Sequence, residues 1–234
     1  MKTVTIIGMG LTPQDLTAEH LKVIEEADIL IGGKRLLDNF EQCRAQKKTI
    51  DKNVKGVIDF VKTHMTSRSI VVLASGDPLF FGIGARLVKA LGADNVVIYP
   101  NISSVAAAFA RIKEPWSNVR VISLHGRNNE SILFKALEKE NIVAVFTDPK
   151  NNPARLAQRL IEEDFINLKM CVLESLGTAA ERFDWYSLDR AAGMLFSEPN
   201  LAILKRGTED LKEKKTCLLY TSPSPRDGET HLVC

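Results

Sequence analysis

Three loops rich in glycine, serine and aspartate follow predicted strands of this 234-residue chain. Their sequences are Gly8-Met9-Gly10-Leu11-Thr12-Pro13, Ser75-Gly76-Asp77-Pro78 and Asn101-Ile102-Ser103-Ser104. Glycine lets a backbone approach a ligand closely, a carboxylate accepts hydrogen bonds from an ammonium or hydroxyl group, and the free amides at a helix start bind a carboxylate. Because parallel sheets bind ligands outside the carboxyl ends of their strands, the three loops together predict a small-molecule site.

Each loop also has a purely structural interpretation, and the sequence leaves both open. The first loop contains half of a dinucleotide fingerprint, but Pro13 stands where that motif has its third glycine, so a tight strand-to-helix turn explains it as well. Asp77 can equally cap the following helix, which we predict over Leu79–Leu91. The two serines of the third loop can cap a helix that begins at Val105.

The remaining reactive side chains form no recognisable constellation. The four cysteines, at positions 43, 171, 217 and 234, include no C-x-x-C pair, and the four histidines are scattered along the chain. This spacing predicts neither a metal site nor a thiol redox motif. We also find no nucleophile and base arrangement, so no catalytic residue is assigned from the sequence.

Composition indicates an ordinary globular protein. A hydrophobic fraction of 45% and a charged fraction of 26% exclude a disordered chain, and a net charge of +2 gives no bulk signature of a nucleic-acid partner. No apolar run approaches the ~20 residues that span a bilayer, and the N-terminus resembles a strand rather than a signal peptide. We therefore expect a cytoplasmic protein without a membrane partner.

Strands and helices alternate along most of the chain, which predicts an α/β fold. The apolar runs Thr3–Ile7 and Ser69–Ala74 are typical of buried parallel strands, and Thr17 is expected to cap a helix over Ala18–Ala27. The second half predicts a mixed sheet with helices. We place an N-terminal domain at 1–114, a C-terminal domain at 115–207, and a disordered or non-native tail at 208–234.

Taken together and in order, the three loops resemble the motifs of the tetrapyrrole methylase family. That resemblance covers about residues 3–206 and implies two α/β domains, with a mainly parallel N-terminal sheet, a mixed C-terminal sheet, and S-adenosylmethionine bound in the cleft between them. The segment Ile31-Gly32-Gly33-Lys34-Arg35-Leu36-Leu37 and the Pro100-Asn101 form of the third loop are similar to the cobalamin-pathway branch, whose members methylate C-5 of a corrin precursor.

The resemblance implies a set of cofactor contacts, carried over position by position. Leu11 departs from the family's usual proline at its place, although the related diphthine synthases also have leucine there. The implied contacts are Leu11, Ser75, Gly76, Asp77, Phe80, Ser103, Ser104, Thr147, Gly177, Pro199 and Asn200.

The substrate that the resemblance implies is a corrinoid macrocycle bearing many carboxylates. Arginine and lysine bind carboxylates, so we propose Lys34, Arg35 and Arg127, which all follow predicted strands, as substrate contacts. Solvated surface charge is the alternative interpretation. Methyl transfer from an activated sulfonium calls chiefly for positioning and exclusion of water, and for no metal.

Two expectations about partners follow from the same resemblance. Bifunctional relatives fuse this module to a C-15-methylating, decarboxylating domain, which we expect here as a separate protein, and a homodimer is a further expectation.

Two other functions stay open at this point. One is a methyltransferase of the same fold that acts on another substrate, either a diphthine synthase or a ribosomal-RNA methyltransferase. The other is a nucleotide-binding module without catalysis.

Overall fold

The protein is described here from a computed structural model, which covers residues 3–51, 53–126, 129–165 and 167–207. Ten strands form two five-stranded sheets. The strands of the first sheet are β1 (Val4–Gly8), β2 (Ile29–Gly32), β3 (Gln46–Thr49), β4 (Ile70–Ala74) and β5 (Val96–Tyr99). The strands of the second sheet are β6 (Arg120–Ser123), β7 (Ile142–Phe146), β8 (Leu168–Glu174), β9 (Arg182–Ser187) and β10 (Asn200–Arg206).

Eight α-helices connect these strands within the described part of the chain. They are α1 (Ala18–Glu25), α2 (Lys34–Leu37), α3 (Val54–His64), α4 (Gly84–Leu91), α5 (Ser104–Ile112), α6 (Glu130–Lys139), α7 (Pro153–Glu162) and α8 (Leu188–Ala192). Short 3-10 turns lie at Pro13–Asp15, Asp38–Phe40 and Ala93–Asn95.

The first sheet is entirely parallel and has the strand order β3-β2-β4-β1-β5. Every residue of β2 and β4 is buried, which is the pattern expected of central strands covered by helices on both faces. Since all five strands run the same way, the loops that follow them emerge at one edge. The predicted parallel sheet is thus confirmed, and the three loops of interest share that edge.

The second sheet is mixed and has the order β6-β7-β10-β8-β9, as predicted for the second half. Strands β6 and β7 are parallel, whereas β10 runs antiparallel to both β7 and β8, and β9 runs antiparallel to β8. The carboxyl ends of β6, β7 and β8 therefore meet the amino ends of β9 and β10 along a single edge.

Helix α5 joins the two sheets. It belongs in sequence to the first half of the chain, yet Val105, Ala108 and Phe109 pack in one apolar cluster with Leu173 and Ile203 of the second sheet. Phe109 is completely buried. Burial of this much apolar surface against the second sheet fixes the position of one sheet relative to the other.

Two predicted helices differ in length from the observed ones. The helix expected over Leu79–Leu91 begins only at Gly84, because the chain first curls around the main-chain carbonyl of Pro78. A β-carbon on Gly82 would lie 2.5 Å from that carbonyl oxygen, and Phe81 adopts a positive φ of 59°. The helix expected over Ala18–Ala27 ends at Glu25, and its predicted cap at Thr17 is confirmed.

Candidate functional site

The loop after β1 is held by a carboxylate from the turn that follows it. Asp15 Oδ2 accepts hydrogen bonds from the amides of Leu11 at 2.8 Å and of Thr12 at 3.0 Å. Gly10 has a φ of +65°, and a β-carbon there would lie 2.6 Å from the Asp15 side chain. The amides that would face a pyrophosphate in a dinucleotide fold are thus already bonded to a negative charge, which argues against the nucleotide-binding interpretation.

The loop after β4 lies directly against the first loop. Gly10 and Gly76 exchange two backbone hydrogen bonds, of 3.3 and 3.1 Å. Asp77 Oδ1 accepts from the amides of Leu79 at 2.9 Å and Phe80 at 3.2 Å. Asp77 therefore closes a local turn and does not cap α4, which starts several residues later. Ser75 is exposed at the beginning of this loop.

The loop after β5 completes the arrangement on the first sheet. Asn101 Nδ2 donates to the main-chain oxygens of Gly8 at 2.9 Å and of Asp15 at 3.1 Å, which ties the first and third loops together. Ser103 Oγ accepts from the Ala106 amide at 3.1 Å and so caps α5, with Ser104 as the first helical residue. The capping interpretation is confirmed for Ser103.

Contacts between Gly76 and the third loop bring all three loops to one point. A β-carbon on Gly76 would lie 3.7 Å from the Ser103 Cα, and Gly76 itself has a φ of +62°. The sequence indicated Asn101 only as part of a motif. Its clamping role is invisible in sequence because its partners lie 93 and 86 residues away.

Four predicted cofactor residues of the second half lie along the shared edge of the second sheet. Thr147 follows β7 and is 7% exposed, with its Oγ1 placed 2.6 Å from the main-chain oxygen and 2.5 Å from the Oδ1 of Asn200. The Ser175 amide donates to the Pro199 oxygen at 2.8 Å, so the loop that contains Gly177 is tied to the start of β10.

The two halves of the predicted site touch at Leu11 and Gly177. A β-carbon on Gly177, which has a φ of +82°, would lie only 2.6 Å from the Leu11 Cβ. The Gly177 amide donates to Glu181 Oε2 at 2.6 Å, and Glu181 also forms an ion pair with Arg111 at the end of α5. Arg111 lowers the pKa of Glu181, against an opposing effect of burial and with help from the Gly177 amide.

Glu181 and Asp15 are site residues that the sequence analysis missed. Each acts on the backbone of a loop rather than on a ligand, and an isolated acidic residue gives no motif. Only the observed fold reveals that the Glu181 carboxylate links α5 to the Gly177 loop.

Aromatic rings from both halves meet beside the loops. Phe80 packs against the cluster formed by α5 and the second sheet, and its ring centroid lies 6.0 Å from that of Phe146, the residue before Thr147. The Phe81 ring lies 5.6 Å from Phe146 and is 41% exposed. An apolar ring is thus presented to solvent where the two sheets converge.

The proposed cationic contacts occupy a neighbouring position. Lys34 and Arg35 are exposed on α2, directly after β2, which pairs with β4 in the first sheet. They therefore share the edge that carries the glycine loops, one strand further out than Asp77. Arg127 lies outside the described residues, as do residues 208–234 with Cys217 and Cys234.

The described residues contain no group of three or more histidine, cysteine, aspartate or glutamate side chains that could hold a metal ion. No helix among them is both long and apolar enough to span a membrane. Burial raises the pKa of Cys171 to about 12, with Asp184 adding to the effect, which keeps this thiol protonated and unreactive.

Comparison with known proteins gives concordant matches. Residues 3–188 match the family of tetrapyrrole (corrin/porphyrin) methylases. A cobalt-precorrin-7 C(5)-methyltransferase of Salmonella typhimurium is 34% identical over 182 residues, which cover 77% of this chain and 89% of that protein. A precorrin-6Y C(5,15)-methyltransferase (decarboxylating) of Mycobacterium tuberculosis is 37% identical over 183 residues, 76% of this chain but only 45% of its own length.

A solved structure matches the fold over nearly the whole described chain. It is the uroporphyrin-III C-methyltransferase of Thermus thermophilus in complex with S-adenosylhomocysteine. The TM-score is 0.67 at 20% identity, covering 87% of this chain and 97% of that one.

Proposed function

This chain belongs to the tetrapyrrole (corrin/porphyrin) methylase family, and we propose that it transfers the methyl group of S-adenosylmethionine to C-5 of a cobalt-precorrin in cobalamin biosynthesis. The observation that supports this most directly is the convergence of loops from both sheets, sealed by the contact between Leu11 and Gly177. A ligand held there would contact both halves of the chain, which would restrict its orientation as methyl transfer between two bound molecules requires.

The groups around this junction suit S-adenosylmethionine. We assign the cofactor to the loops that carry Asp77, Ser103, Thr147 and Asn200. A carboxylate such as Asp77 complements the amino group of the methionine part, and the start of α5 complements its carboxylate. The polar atoms of Thr147 and Asn200 lie across the junction. When bound, the cofactor supplies an activated methyl group on a sulfonium.

The chain's own contribution is to orient the two reactants and to exclude water. The glycines permit the close loop approach described above, so the backbone can surround the cofactor without side chains intervening. Phe81, exposed at the mouth of the junction, offers an apolar surface to a flat macrocycle. Lys34, Arg35 and Arg127 would bind the macrocycle's carboxylates as charge-assisted hydrogen-bond donors.

We further propose that this protein performs the C-5 step alone. The relative of which the match covers 89% is named for C-5 methylation alone, which supports C-15 methylation and decarboxylation by a separate protein. The expected homodimer belongs to the same proposal, and the molar mass in solution measured by light scattering tests it.

Calorimetry and a methyl-transfer assay test the proposed function. S-adenosylhomocysteine should bind with a micromolar Kd, whereas NAD should not bind. Asp77→Ala should weaken that binding, and Asp94→Ala, an exposed aspartate at the opposite end of the first sheet, should leave it unchanged. With S-adenosylmethionine, the protein should add one methyl group to cobalt-precorrin-7.

Two results would contradict this assignment. A folded protein that binds NAD and ignores S-adenosylhomocysteine would leave a nucleotide-binding module as the better account. Methylation of elongation factor or ribosomal RNA, without methylation of the corrinoid, would leave the cofactor assignment unchanged but would show that the substrate assignment is wrong.

A further inference from the structure

The loop after β6 presents a histidine whose ring is hydrogen-bonded to the backbone of the loop after β7. His125 Nδ1 lies 3.2 Å from the main-chain oxygen of Thr147. A carbonyl oxygen can only accept a hydrogen bond, so Nδ1 must carry the proton. In the neutral ring the lone pair then sits on Nε2, on the side of the imidazole away from Thr147. A neutral imidazole in this tautomer is a proton acceptor at Nε2.

The residue before His125 is held by β7 and by the loop that follows it. The Leu124 amide donates to the Phe146 oxygen at 2.9 Å, and the Leu124 oxygen accepts from Asn151 Nδ2 at 3.1 Å. The His125 ring therefore projects from a backbone whose position is set by β7 and its loop, and it does not depend on its own loop alone.

A carboxylate completes this support. Asp148 Oδ2 accepts from the Gly126 amide at 2.7 Å, and its Oδ1 accepts from the Asn151 amide at 2.6 Å. Burial alone would raise the pKa of Asp148, but the hydrogen bonds from Gly126 and Asn151 outweigh it, and the pKa is lowered. Asp148 thus remains ionised and keeps the Gly126 backbone in place.

This imidazole lies on the same edge as the proposed cofactor contacts. His125 follows β6, Thr147 follows β7 and Asn200 begins β10, and these three strands are neighbours in the second sheet. Adjacent strands are about 4.8 Å apart, so the three residues occupy successive positions along the edge. Thr147 connects them, since its main-chain oxygen bonds to His125 and its hydroxyl bonds to Asn200.

Methylation of an unsaturated ring carbon releases one proton. A C–C bond forms from an electron pair of the macrocycle to the methyl carbon, and the S–C bond breaks with its pair left on the sulfur. A C–H bond of the macrocycle then breaks, and its electron pair restores the conjugated system. In total, the sulfonium and the C–H group of the macrocycle are converted into a thioether, a C–CH₃ group and H⁺. The released proton needs an acceptor.

We propose that His125 is the catalytic base that accepts this proton at Nε2, an inference that rests on the proposed function. His125 is exposed, so the proton can pass from the ring to solvent after each turnover. General-base catalysis of this kind contributes about 10²–10⁴-fold to a rate.

The variant His125→Asn distinguishes a role of His125 as a base from a purely structural role. The asparagine amide can still donate to the Thr147 oxygen but cannot accept a proton. Single-turnover methyl transfer to cobalt-precorrin-7 should slow at least about 100-fold. The Kd for S-adenosylhomocysteine should stay within about twofold of the wild-type value. The matched control is His64→Asn on α3, whose Nδ1 also faces a carbonyl, that of Phe60 at 2.8 Å, and its rate should not change.

A second variant covers the case in which asparagine disturbs the fold. In His125→Ala, millimolar imidazole added to the assay should restore part of the rate, which loss of a structural bond would not allow. A near-normal rate in His125→Asn, or a parallel loss of S-adenosylhomocysteine binding without imidazole rescue, overturns the assignment of the base. A wild-type protein that binds S-adenosylhomocysteine and leaves the corrinoid unmethylated overturns the proposed function, and the base with it.

Discussion

Leu11 and Gly177, 166 positions apart in sequence, pack so closely that a β-carbon on the glycine would lie 2.6 Å from the leucine Cβ. One residue follows the first strand of the parallel sheet, and the other lies in the loop between β8 and β9 of the mixed sheet. Their contact closes one side of the junction at which the loops of both sheets converge. The spacing of the two sheets at the candidate site thus depends on a position that tolerates no side chain.

The variant Gly177→Ala should therefore open or distort the site. Its β-carbon would collide with Leu11, and its φ of +82° is unfavourable for alanine. We expect the Kd for S-adenosylhomocysteine to rise at least about tenfold, equivalent to about 1.4 kcal/mol, as measured by calorimetry. Gly193→Ala is the control, because its φ is −96° and its nearest neighbour would be at an ordinary 3.9 Å.

A double variant makes the same test sharper. If the collision with the Leu11 Cβ is the cause, adding Leu11→Gly, which removes that atom, to Gly177→Ala should recover part of the lost affinity, and the two changes should be non-additive. Strictly additive losses would refute the contact as the cause.

Glu181→Gln should lower the free energy of unfolding by removing the contribution of the ionised Glu181 carboxylate. The folded-state pKa of Glu181 is lowered by Arg111, so its ionised form stabilises the fold above the unfolded pKa of about 4.3, and that contribution is lost as the pH falls through the folded pKa. Because Arg111 is 40% exposed, solvent screening limits the effect to about 1 kcal/mol or less.

Urea unfolding at pH 7 and pH 3 measures this contribution. The wild type should exceed Glu181→Gln in stability at pH 7, and the difference should shrink at pH 3. Glu162→Gln removes a more exposed ion pair with Arg159 and serves as the control, with a smaller effect at both pH values. A difference that persists unchanged at pH 3 would show that charge is not responsible.

Asp15→Ala should cost both stability and cofactor affinity. It leaves the part-buried Leu11 and Thr12 amides without the acceptor that now holds them, at a cost of about 1 kcal/mol. Asp15→Asn keeps an acceptor oxygen and should recover most of the stability. Thermal unfolding and calorimetric titration of both variants check the prediction, and equal losses in the two would contradict it.

The three cationic side chains proposed as substrate contacts should affect binding of the macrocycle and not binding of the cofactor. Lys34→Ala, Arg35→Ala and Arg127→Ala should each raise the KM for the corrinoid about tenfold, since a hydrogen bond to a charged group contributes about 1.5–3 kcal/mol. The Kd for S-adenosylhomocysteine should not change. Lys139→Ala, at the end of α6, is the control. Unchanged KM values in all three single variants would remove these residues from the substrate site.

The regular elements were predictable where apolar periodicity was strong. Strand β4 is an unbroken run of buried aliphatic residues, and the cap at Thr17 follows the usual chemistry of helix starts. Strand β3, by contrast, was missed because its Gln-Lys-Lys-Thr sequence is polar and every residue is exposed at the sheet edge. Helices α2, α3 and α8 were also absent from the prediction.

The sequence predicted which loops form the candidate site, but not the contacts that hold those loops in place. The motifs placed Leu11, Asp77, Ser103 and Thr147 in loops that follow strands. Hydrogen bonds join the first three loops, and the Phe80 ring contacts Phe146, the residue before Thr147. Sequence could not identify Asp15 as a backbone clamp, because its role depends on the exact direction of the amides at Leu11 and Thr12. The predicted start of α4 at Leu79 was wrong for a similar reason, because the helix begins at Gly84. Local helix propensity carries no information on the crowding around the Pro78 carbonyl.

Helix α5 also bears on how the chain loses its structure. Its sequence belongs to the half of the chain before residue 115, whereas Phe109 and its neighbours are buried against the sheet formed by the other half. A partly unfolded chain with only one sheet intact would expose this apolar face to water, which disfavours such an intermediate. The two sheets should therefore melt in one cooperative transition, in which calorimetric and van't Hoff enthalpies agree.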